Sequence, residues 1–394
     1  MSNLRISWQG EILAQSGYGV HARRILKPLI EAGVDVKLIS DENYIPPEKR
    51  IQDAWWLEQL ALSKNKPDAP VHINYCIPPL AKPVKDAINI LSSQWDTTQF
   101  PREWVPTINQ FNRFWVGSIG LTKTAANSGI KIPVDVVSTT LDTNLWSPEG
   151  GSASVTEIPP GCVKFMFTGD WIARKNYQDL IIGYLTAFSG CKDTALVIKT
   201  SSDQPGAEGR KHIEQAIRHF TGKVTGIELP RIYLLTDFVS EEQVIPIMRG
   251  CDVYLSVSHG ESYDTAVVQA MSLGKIVVAT NFLGHEDYIK QGNSLPVKYT
   301  LAPVYDAAAP LYHSYQLWSC PDMWDFISKM RTAYEMVKTG KQKELGIPAR
   351  DTIIQSYGVE ANTKKIIDLL SKISATAKPI VNQSMIQRVV SQLV

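Results

Sequence analysis

The sequence predicts an α/β protein made of two Rossmann-like domains that face a central cleft, and three observations lead to this prediction. The chain has 394 residues, enough for about two to three domains of ordinary size. Apolar runs of strand length alternate with amphipathic helical segments along most of the chain. A segment rich in Pro, Gly and Ser, around residues 145–162, interrupts this alternation.

The first half of the chain has the order of elements expected of a parallel α/β layer. An apolar run at Leu4–Trp8 leads through a glycine-bearing loop into an amphipathic helix that ends near Gly33. Further buried strands are predicted at Val34–Ser40, Val71–Ile77, Ala87–Leu91, Phe114–Val116 and Val134–Ser138. We therefore predict a first domain over residues 1–148 and a linker over residues 149–162.

A second series of strands and helices follows the linker. Strands are predicted at Val163–Thr168, Ala195–Thr200, Ile232–Thr236, Val253–Ser258 and Lys275–Thr280. Helices are predicted between them at Tyr177–Phe188, Gly209–Phe220, Glu241–Arg249 and Thr265–Leu273. This series predicts a second domain over residues 163–375, and apolar spacing predicts a final helix within residues 376–394.

Composition excludes several classes of protein. Hydrophobic residues make up 44% of the chain, which is too much for an overall disordered protein. No apolar stretch approaches the roughly 18 residues that cross a bilayer, and the first residues lack a signal peptide's apolar core. Five scattered cysteines indicate neither a disulfide framework nor a zinc site, so we predict a cytoplasmic protein. Because 40 basic residues are balanced by 39 acidic ones, neither half is an obvious nucleic-acid or membrane surface.

Ligands of open α/β sheets bind beyond the carboxyl ends of the strands, so loops that follow strands are the places to search. The first such loop is Ser16-Gly17-Tyr18-Gly19, at the start of the first helix. Glycines allow close approach of a ligand, and a helix N-terminus favours an anion. An ordinary strand-to-helix turn explains these glycines equally well.

The second loop, Thr168 to Leu180, carries two adjacent cations. Arg174 and Lys175 precede Asn176, a predicted helix N-cap, and this arrangement suits a diphosphate. Lys199, after another apolar run, is predicted to point at the same edge of the sheet. Solvated charge at a loop tip is the alternative explanation.

The third loop, within Ser256 to Thr280, is the most specific. His259, Gly260 and Glu261 lie between a predicted strand and a predicted helix. A carboxylate at the mouth of a helix can accept hydrogen bonds from vicinal hydroxyls, while the helix N-terminus offers N–H donors to an anion. The alternative is that Glu261 is an ordinary capping carboxylate.

Taken together, these blocks resemble the retaining GT-B glycosyltransferases of group 1, which include glycogen synthases and mannosyltransferases. Ser258 to Gly274 resembles the E-x7-E segment of that family, and Thr168 to Leu180 resembles its G-R-L-x-x-x-K-G block. Ser16 to His21 resembles its N-terminal glycine loop. Ser93–Val105 and Leu317–Arg331 are similar to its W-E-T-D-x-L-P and W-x-x-P-D blocks, so the resemblance covers nearly the whole chain.

The resemblance implies a GT-B fold with an acceptor-side first domain, a nucleotide-sugar-binding second domain and a last helix that crosses back to the first. It further implies that a sugar is transferred, with retained configuration, from a nucleotide-diphosphate donor to a hydroxyl acceptor. No metal and no other cofactor are implied. The acceptor stays open between a glycan, a small molecule and a modified base.

The resemblance also implies roles for individual residues. Lys175 matches the lysine that neutralises the donor phosphates, and Glu261 matches the glutamate that binds sugar hydroxyls. The other residues predicted to bind the donor are Gly17, Gly19, Arg174, Lys199, Tyr263, Asp264, Thr265 and Gln269. Asp96, beside Trp95, is the candidate for orienting the acceptor or the positively charged sugar.

Three positions depart from the family pattern. Gln269 stands where a second glutamate holds the ribose hydroxyls, so its hydrogen bonds lack charge assistance. Asp170 replaces the arginine of the phosphate-binding block, and Arg174 is the candidate to compensate. Asp264 replaces a glycine and brings a carboxylate near the predicted diphosphate. These departures keep open the alternative of a non-catalytic nucleotide-sugar-binding protein. A second alternative, within the GT-B enzymes, is a nucleotide-sugar epimerase that needs no acceptor.

Overall fold

The computed structural model describes residues 4–40, 45–153, 157–201, 206–222, 228–237, 240–305 and 311–376. Two six-stranded parallel sheets dominate these residues. Their strands and helices alternate along the chain, so each sheet is covered by helices on its faces. The two facing Rossmann-like halves make the fold GT-B, as the sequence predicts.

The first sheet has the strand order β2-β1-β3-β4-β5-β6. In chain order its elements are β1 (Arg5–Gly10), α1 (Gly17–Glu31), β2 (Asp35–Ser40), α2 (Ala54–Ser63), β3 (Val71–Tyr75), β4 (Ile88–Ser92), α3 (Val105–Ile108), β5 (Arg113–Val116), α4 (Ile119–Asn127) and β6 (Val134–Val136). Helix α1 begins where the Ser16 side chain accepts a hydrogen bond from the backbone of Gly19. The last strand is two residues shorter than predicted, and beyond it the hydroxyl of Ser138 donates to the carbonyl of Gly117.

The second sheet has the order β12-β11-β10-β7-β8-β9. Its elements are β7 (Val163–Asp170), α5 (Tyr177–Ala187), β8 (Thr194–Ser201), α6 (Gly206–Thr221), β9 (Arg231–Leu235), α7 (Glu241–Arg249), β10 (Val253–Ser256), α8 (Thr265–Ser272), β11 (Ile276–Thr280) and β12 (Leu295–Val297). An antiparallel pair follows, β13 (Tyr299–Pro303) with β14 (Leu317–Pro321). Three helices end the described chain, α9 (Met323–Lys338), α10 (Lys343–Tyr357) and α11 (Val359–Ser374).

Helix α11 returns from the second domain to the first. Ile366, Leu370 and Ile373 on this helix pack in one buried cluster with Ile6 and Leu26 of the first domain. The final crossing helix that is predicted within residues 376–394 stays a prediction, because residues 377–394 lie outside the described residues. Within the described ranges, no helix has both the length and the apolar character needed to cross a bilayer.

Candidate active site

A cavity of about 610 Å³ lies between the two domains, at the carboxyl ends of both sheets. Its first-domain wall comes from the cleft-facing side of α1 and from the loop after β4. Its second-domain wall comes from the ends of β7 and β8, from the loops after β7 and β10, and from the N-terminal parts of α7 and α8. Strand-end loops of the two domains therefore meet at one hollow, as the GT-B prediction requires.

Lys175 and Glu261 form a buried ion pair on the wall of this cavity. Lys175 ends a short 3₁₀ turn after β7, and its Nζ lies 2.6 Å from Oε1 of Glu261. The Glu261 side chain is only 7% exposed, and the same oxygen accepts a hydrogen bond from the hydroxyl of Ser258. Burial alone would raise the pKa of Glu261, but the charges of Arg174 and Lys175 outweigh it and hold this pKa below its ordinary value.

Arg174 is a bridge between carboxylates of the two domains. Its Nη1 lies 2.8 Å from Oε2 of Glu261 and also donates to the carbonyl of Gly260, while its Nε lies 3.3 Å from Oδ2 of Asp96. Every one of these partners belongs to the protein. Nε and Nη1 of Arg174 are thus used within the site itself, which weakens the expectation that it compensates for Asp170 in holding a diphosphate.

Asp96 reaches across from the first domain to the loop after β10. Its Oδ1 accepts a hydrogen bond from the backbone N–H of Ser262 at 3.2 Å. Burial raises the pKa of Asp96 above its ordinary value; the charge of Arg174 opposes this rise and that of Glu261 adds to it. Asp96 therefore lines the cavity as part of the contact between the domains.

Asp264 is turned into the protein. It has a positive φ of 52°, in the left-handed region where the family pattern has a glycine. Its Oδ2 accepts hydrogen bonds from Ser256 at 2.8 Å and His285 at 3.0 Å, and its Oδ1 caps α8 at the N–H of Val267. Asp264 lines the cavity, but its side chain is only 4% exposed and its oxygens are engaged by these partners within the protein.

All the remaining predicted residues except Gly19 line the cavity. Those that line the cavity are Gly17, Lys199, Tyr263, Thr265 and Gln269. The Tyr263 ring itself packs in the core and its hydroxyl bonds the carbonyl of Thr139, so only its backbone is available to a donor. Burial lowers the pKa of Lys199, and the charge of Asp170 opposes this shift.

Gly19 does not line the cavity. A Cβ built at this position would lie 2.1 Å from the carbonyl oxygen of Ala14, and the Gly19 N–H donates to the Ser16 hydroxyl. Gly19 therefore lets α1 pack against the loop before it, and its N–H is not directed at a phosphate. A phosphate contact therefore stays a prediction for Gly17, which lines the cavity.

Sequence reasoning missed the rest of the α1 wall. Tyr18, His21 and Arg24 line the cavity on this helix, and Glu241 of α7 lies opposite, with its carboxylate 2.7 Å from Arg24. The signal was present in the spacing, because Gly17, His21 and Arg24 are four and three residues apart and share one helical face. The sequence pattern instead draws attention to the apolar face of this helix, which packs in the core.

Gly260 marks the closest approach between the two domains at the site, because a Cβ there would lie 1.8 Å from the carbonyl oxygen of Asp96. We expect Gly260→Ala to force the loops apart, lowering the free energy of unfolding by about 1–3 kcal/mol. Gly151→Ala is the matched control, since a Cβ at Gly151 meets nothing within 4 Å. Urea denaturation checks this, and equal midpoints for the two variants would contradict the close contact.

The described part of the chain contains no grouping of three or more His, Cys, Asp or Glu side chains suited to a metal ion. The cavity is instead lined by cations, carboxylates and the first turn of α8. Such an arrangement can bind an anion between the domains while a carboxylate holds an attached polyhydroxylated group.

The fold and the site define a GT-B protein with a polar interdomain cleft. Residues 165–313 match the family model described as glycosyl transferases group 1. Sucrose-phosphate synthase from Thermosynechococcus elongatus is 12% identical, with a TM-score of 0.67 over 95% of this chain and 100% of that one. HepE from Anabaena, in complex with UDP and glucose, is 15% identical, with a TM-score of 0.61 over 94% and 100%.

A glycosyltransferase from Rickettsia africae is 11% identical, with a TM-score of 0.64 over 94% of this chain and 99% of that one. At such low identities these structures establish the shared fold. A search of curated protein sequences found no match.

Proposed function

We propose that the protein transfers a glycosyl group from a nucleoside diphosphate donor to a hydroxyl acceptor, with retention of anomeric configuration. The observation that carries this proposal is the buried Lys175–Glu261 pair on the wall of the interdomain cavity. A cation for the leaving phosphate and a carboxylate for the sugar hydroxyls lie side by side there. The match to group 1 and the UDP and glucose that HepE binds support the same function.

Departure of the nucleoside diphosphate is the step that the site would accelerate. Negative charge grows on the leaving oxygen as the bond to the anomeric carbon breaks. Lys175 and Lys199, with the N-terminus of α8 at Thr265, would stabilise that charge in a cleft partly shielded from water. We propose that these groups do so without a metal, and an assay with and without EDTA tests this.

Attack on the face from which the diphosphate leaves is the mechanism we favour for retention. Both Glu261 oxygens are engaged by Lys175, Arg174 and Ser258, which disfavours this carboxylate as a covalent nucleophile. In the same-face route the donor C–O bond breaks and the acceptor oxygen bonds to the anomeric carbon. The acceptor hydroxyl proton passes to the departing phosphate oxygen.

Both Glu261 oxygens are already bonded within the protein, and Asp170 stands where the family has an arginine. These two observations also favour a second function, a nucleotide-sugar-binding protein without turnover. The two functions differ in one result. Release of nucleoside diphosphate on acceptor addition belongs to the transferase alone, whereas an epimerase would convert the sugar nucleotide without any acceptor.

Thermal unfolding with UDP-glucose and UDP, then with the matching ADP, GDP and dTDP compounds, tests the proposal. A bound donor raises Tm by mass action. We expect Glu261→Gln to remove the extra stabilisation that the sugar gives over the free diphosphate, because Glu261 holds the sugar hydroxyls. Equal shifts in wild type and variant would refute this role, and NMR of the product would report the anomeric configuration.

A further inference from the structure

The side of α1 that faces the cleft carries two nitrogen atoms without a hydrogen-bond partner among the described residues, Nε2 of His21 and Nη1 of Arg24. Both side chains line the cavity, and both nitrogens are buried. Their neighbour Arg23 differs, because it donates to the carbonyls of Ile12 and Ala14. Buried polar atoms are rarely left unpaired in a native protein unless a ligand or water completes them.

Both side chains are held in place by their surroundings. The His21 ring stacks on Tyr75 with centroids 5.2 Å apart and planes 13° apart. Arg24 is anchored by its Nη2, which donates to Glu241 at 2.7 Å, and this leaves Nη1 unused. Burial and the charge of Arg24 lower the pKa of His21 to about 3, so the ring is neutral. A neutral imidazole still offers one N–H donor.

The second-domain wall offers a diphosphate two cations, Lys175 and Lys199. Arg174 also lines this wall, but it is bonded to Asp96, Glu261 and the carbonyl of Gly260, and the charge of Lys175 is partly neutralised by its pair with Glu261. Asp170 occupies the position of the family's second phosphate-binding cation. A donor diphosphate carries about two negative charges, so the second domain alone would leave it under-compensated.

We propose that His21 and Arg24 bind the diphosphate of the donor from the first domain, so that Arg24 supplies the cation missing at Asp170. This inference rests on the proposed function. On this proposal, residues of both domains bind the diphosphate. Arg24 and His21 lie one helical turn apart on the face of α1 that also carries Gly17.

Calorimetric titration with UDP, ADP, GDP and dTDP identifies the diphosphate that the wild-type protein binds. For that diphosphate we expect Kd to rise about 10- to 100-fold in Arg24→Gln and about 10-fold in His21→Asn, as for a lost hydrogen bond to a charged group. Arg24→Lys keeps the positive charge, so its affinity for the diphosphate should fall less than that of Arg24→Gln. Affinity for the free nucleoside should be unchanged in each variant, which a general disturbance of the fold would not allow.

Lys27→Gln is the matched control, because Lys27 lies on the same helix with a side chain 56% exposed. Wild-type affinity in Arg24→Gln, or an equal loss for the nucleoside, would overturn the inference and leave the proposed function standing. Absence of binding of all four diphosphates to wild type would overturn both.

Discussion

Replacing Lys175 with Met is expected to lower kcat/KM for glycosyl transfer by about 10²- to 10³-fold, the largest effect on activity of any single substitution in this site. The methionine keeps most of the side-chain length and removes the charge. A preorganised cation in a shielded cleft stabilises a leaving anion far more than it would in water, and losing one such group commonly costs this much. Initial rates of diphosphate release, with donor and acceptor varied separately, measure the change.

The same substitution also removes one partner of Glu261, and this effect on stability has to be separated from the effect on rate. Glu261 keeps its contacts with Arg174 and Ser258, so we expect the variant to fold. The double variant Lys175→Met, Glu261→Gln removes both charges of the pair. It should regain stability in urea and stay as inactive as the single variant.

Lys192→Met is the control, because Lys192 has a side chain 72% exposed and lies in the turn before β8. We expect its activity to match wild type. If Lys175→Met turned over donor at more than about a tenth of the wild-type rate, Lys175 would not be the cation that stabilises the departing phosphate.

The fold was accessible from the sequence because its signals are local and repeated. Runs such as Val253–Ser258 are apolar enough to identify buried parallel strands, and the loops after them carry the polar residues. Lys175 and Glu261 were identifiable for the same reason, as each follows a strand and has a recognisable block around it. That they lie 2.6 Å apart depends on the sheet order, which no local pattern contains.

The interdomain part of the site could not be predicted in this way. The contact of Asp96 with Ser262 and Arg174 joins residues far apart in the chain and depends on how two domains meet. Asp264 was misleading for a related reason. Its neighbours in sequence suggest a carboxylate free to face a ligand, whereas it is bonded to His285, which lies beyond the next strand.

The buried pair of Asp264 and His285 is expected to make the stability of the protein fall as pH rises above about 6.5. Nδ1 of His285 lies 2.7 Å from the carbonyl oxygen of Thr280, and Nε2 lies 3.0 Å from the Asp264 carboxylate. Both partners only accept hydrogen bonds, so both ring nitrogens carry protons and the imidazole is positively charged. The pair therefore holds the first turn of α8 at the cavity by a charge-assisted bond.

The direction in which stability changes with pH follows from the direction of each pKa shift. Burial would lower the pKa of His285, but the bond to Asp264 and its charge outweigh burial and raise it above the unfolded value of about 6.5. The stabilisation from His285 is thus complete below about pH 6.5 and is lost as pH rises through the folded pKa. For Asp264, burial is outweighed by Lys175 and His285, which lower its pKa, so its contribution persists above about pH 3.9 and disappears only in strong acid.

Urea denaturation of wild type, His285→Gln and Asp264→Asn between pH 5 and 9 measures this dependence. Near pH 6 we expect His285→Gln to lower the free energy of unfolding by about 3–5 kcal/mol, because it leaves a buried carboxylate without its partner cation. The difference in free energy of unfolding between wild type and His285→Gln should then shrink toward pH 9. Asp264→Asn tolerates the positive φ and can still cap α8, yet it removes the charge that keeps His285 protonated, so its stability should vary less with pH than that of wild type. Parallel curves for wild type and His285→Gln would mean that the imidazole is neutral and that the pair holds α8 by an ordinary hydrogen bond.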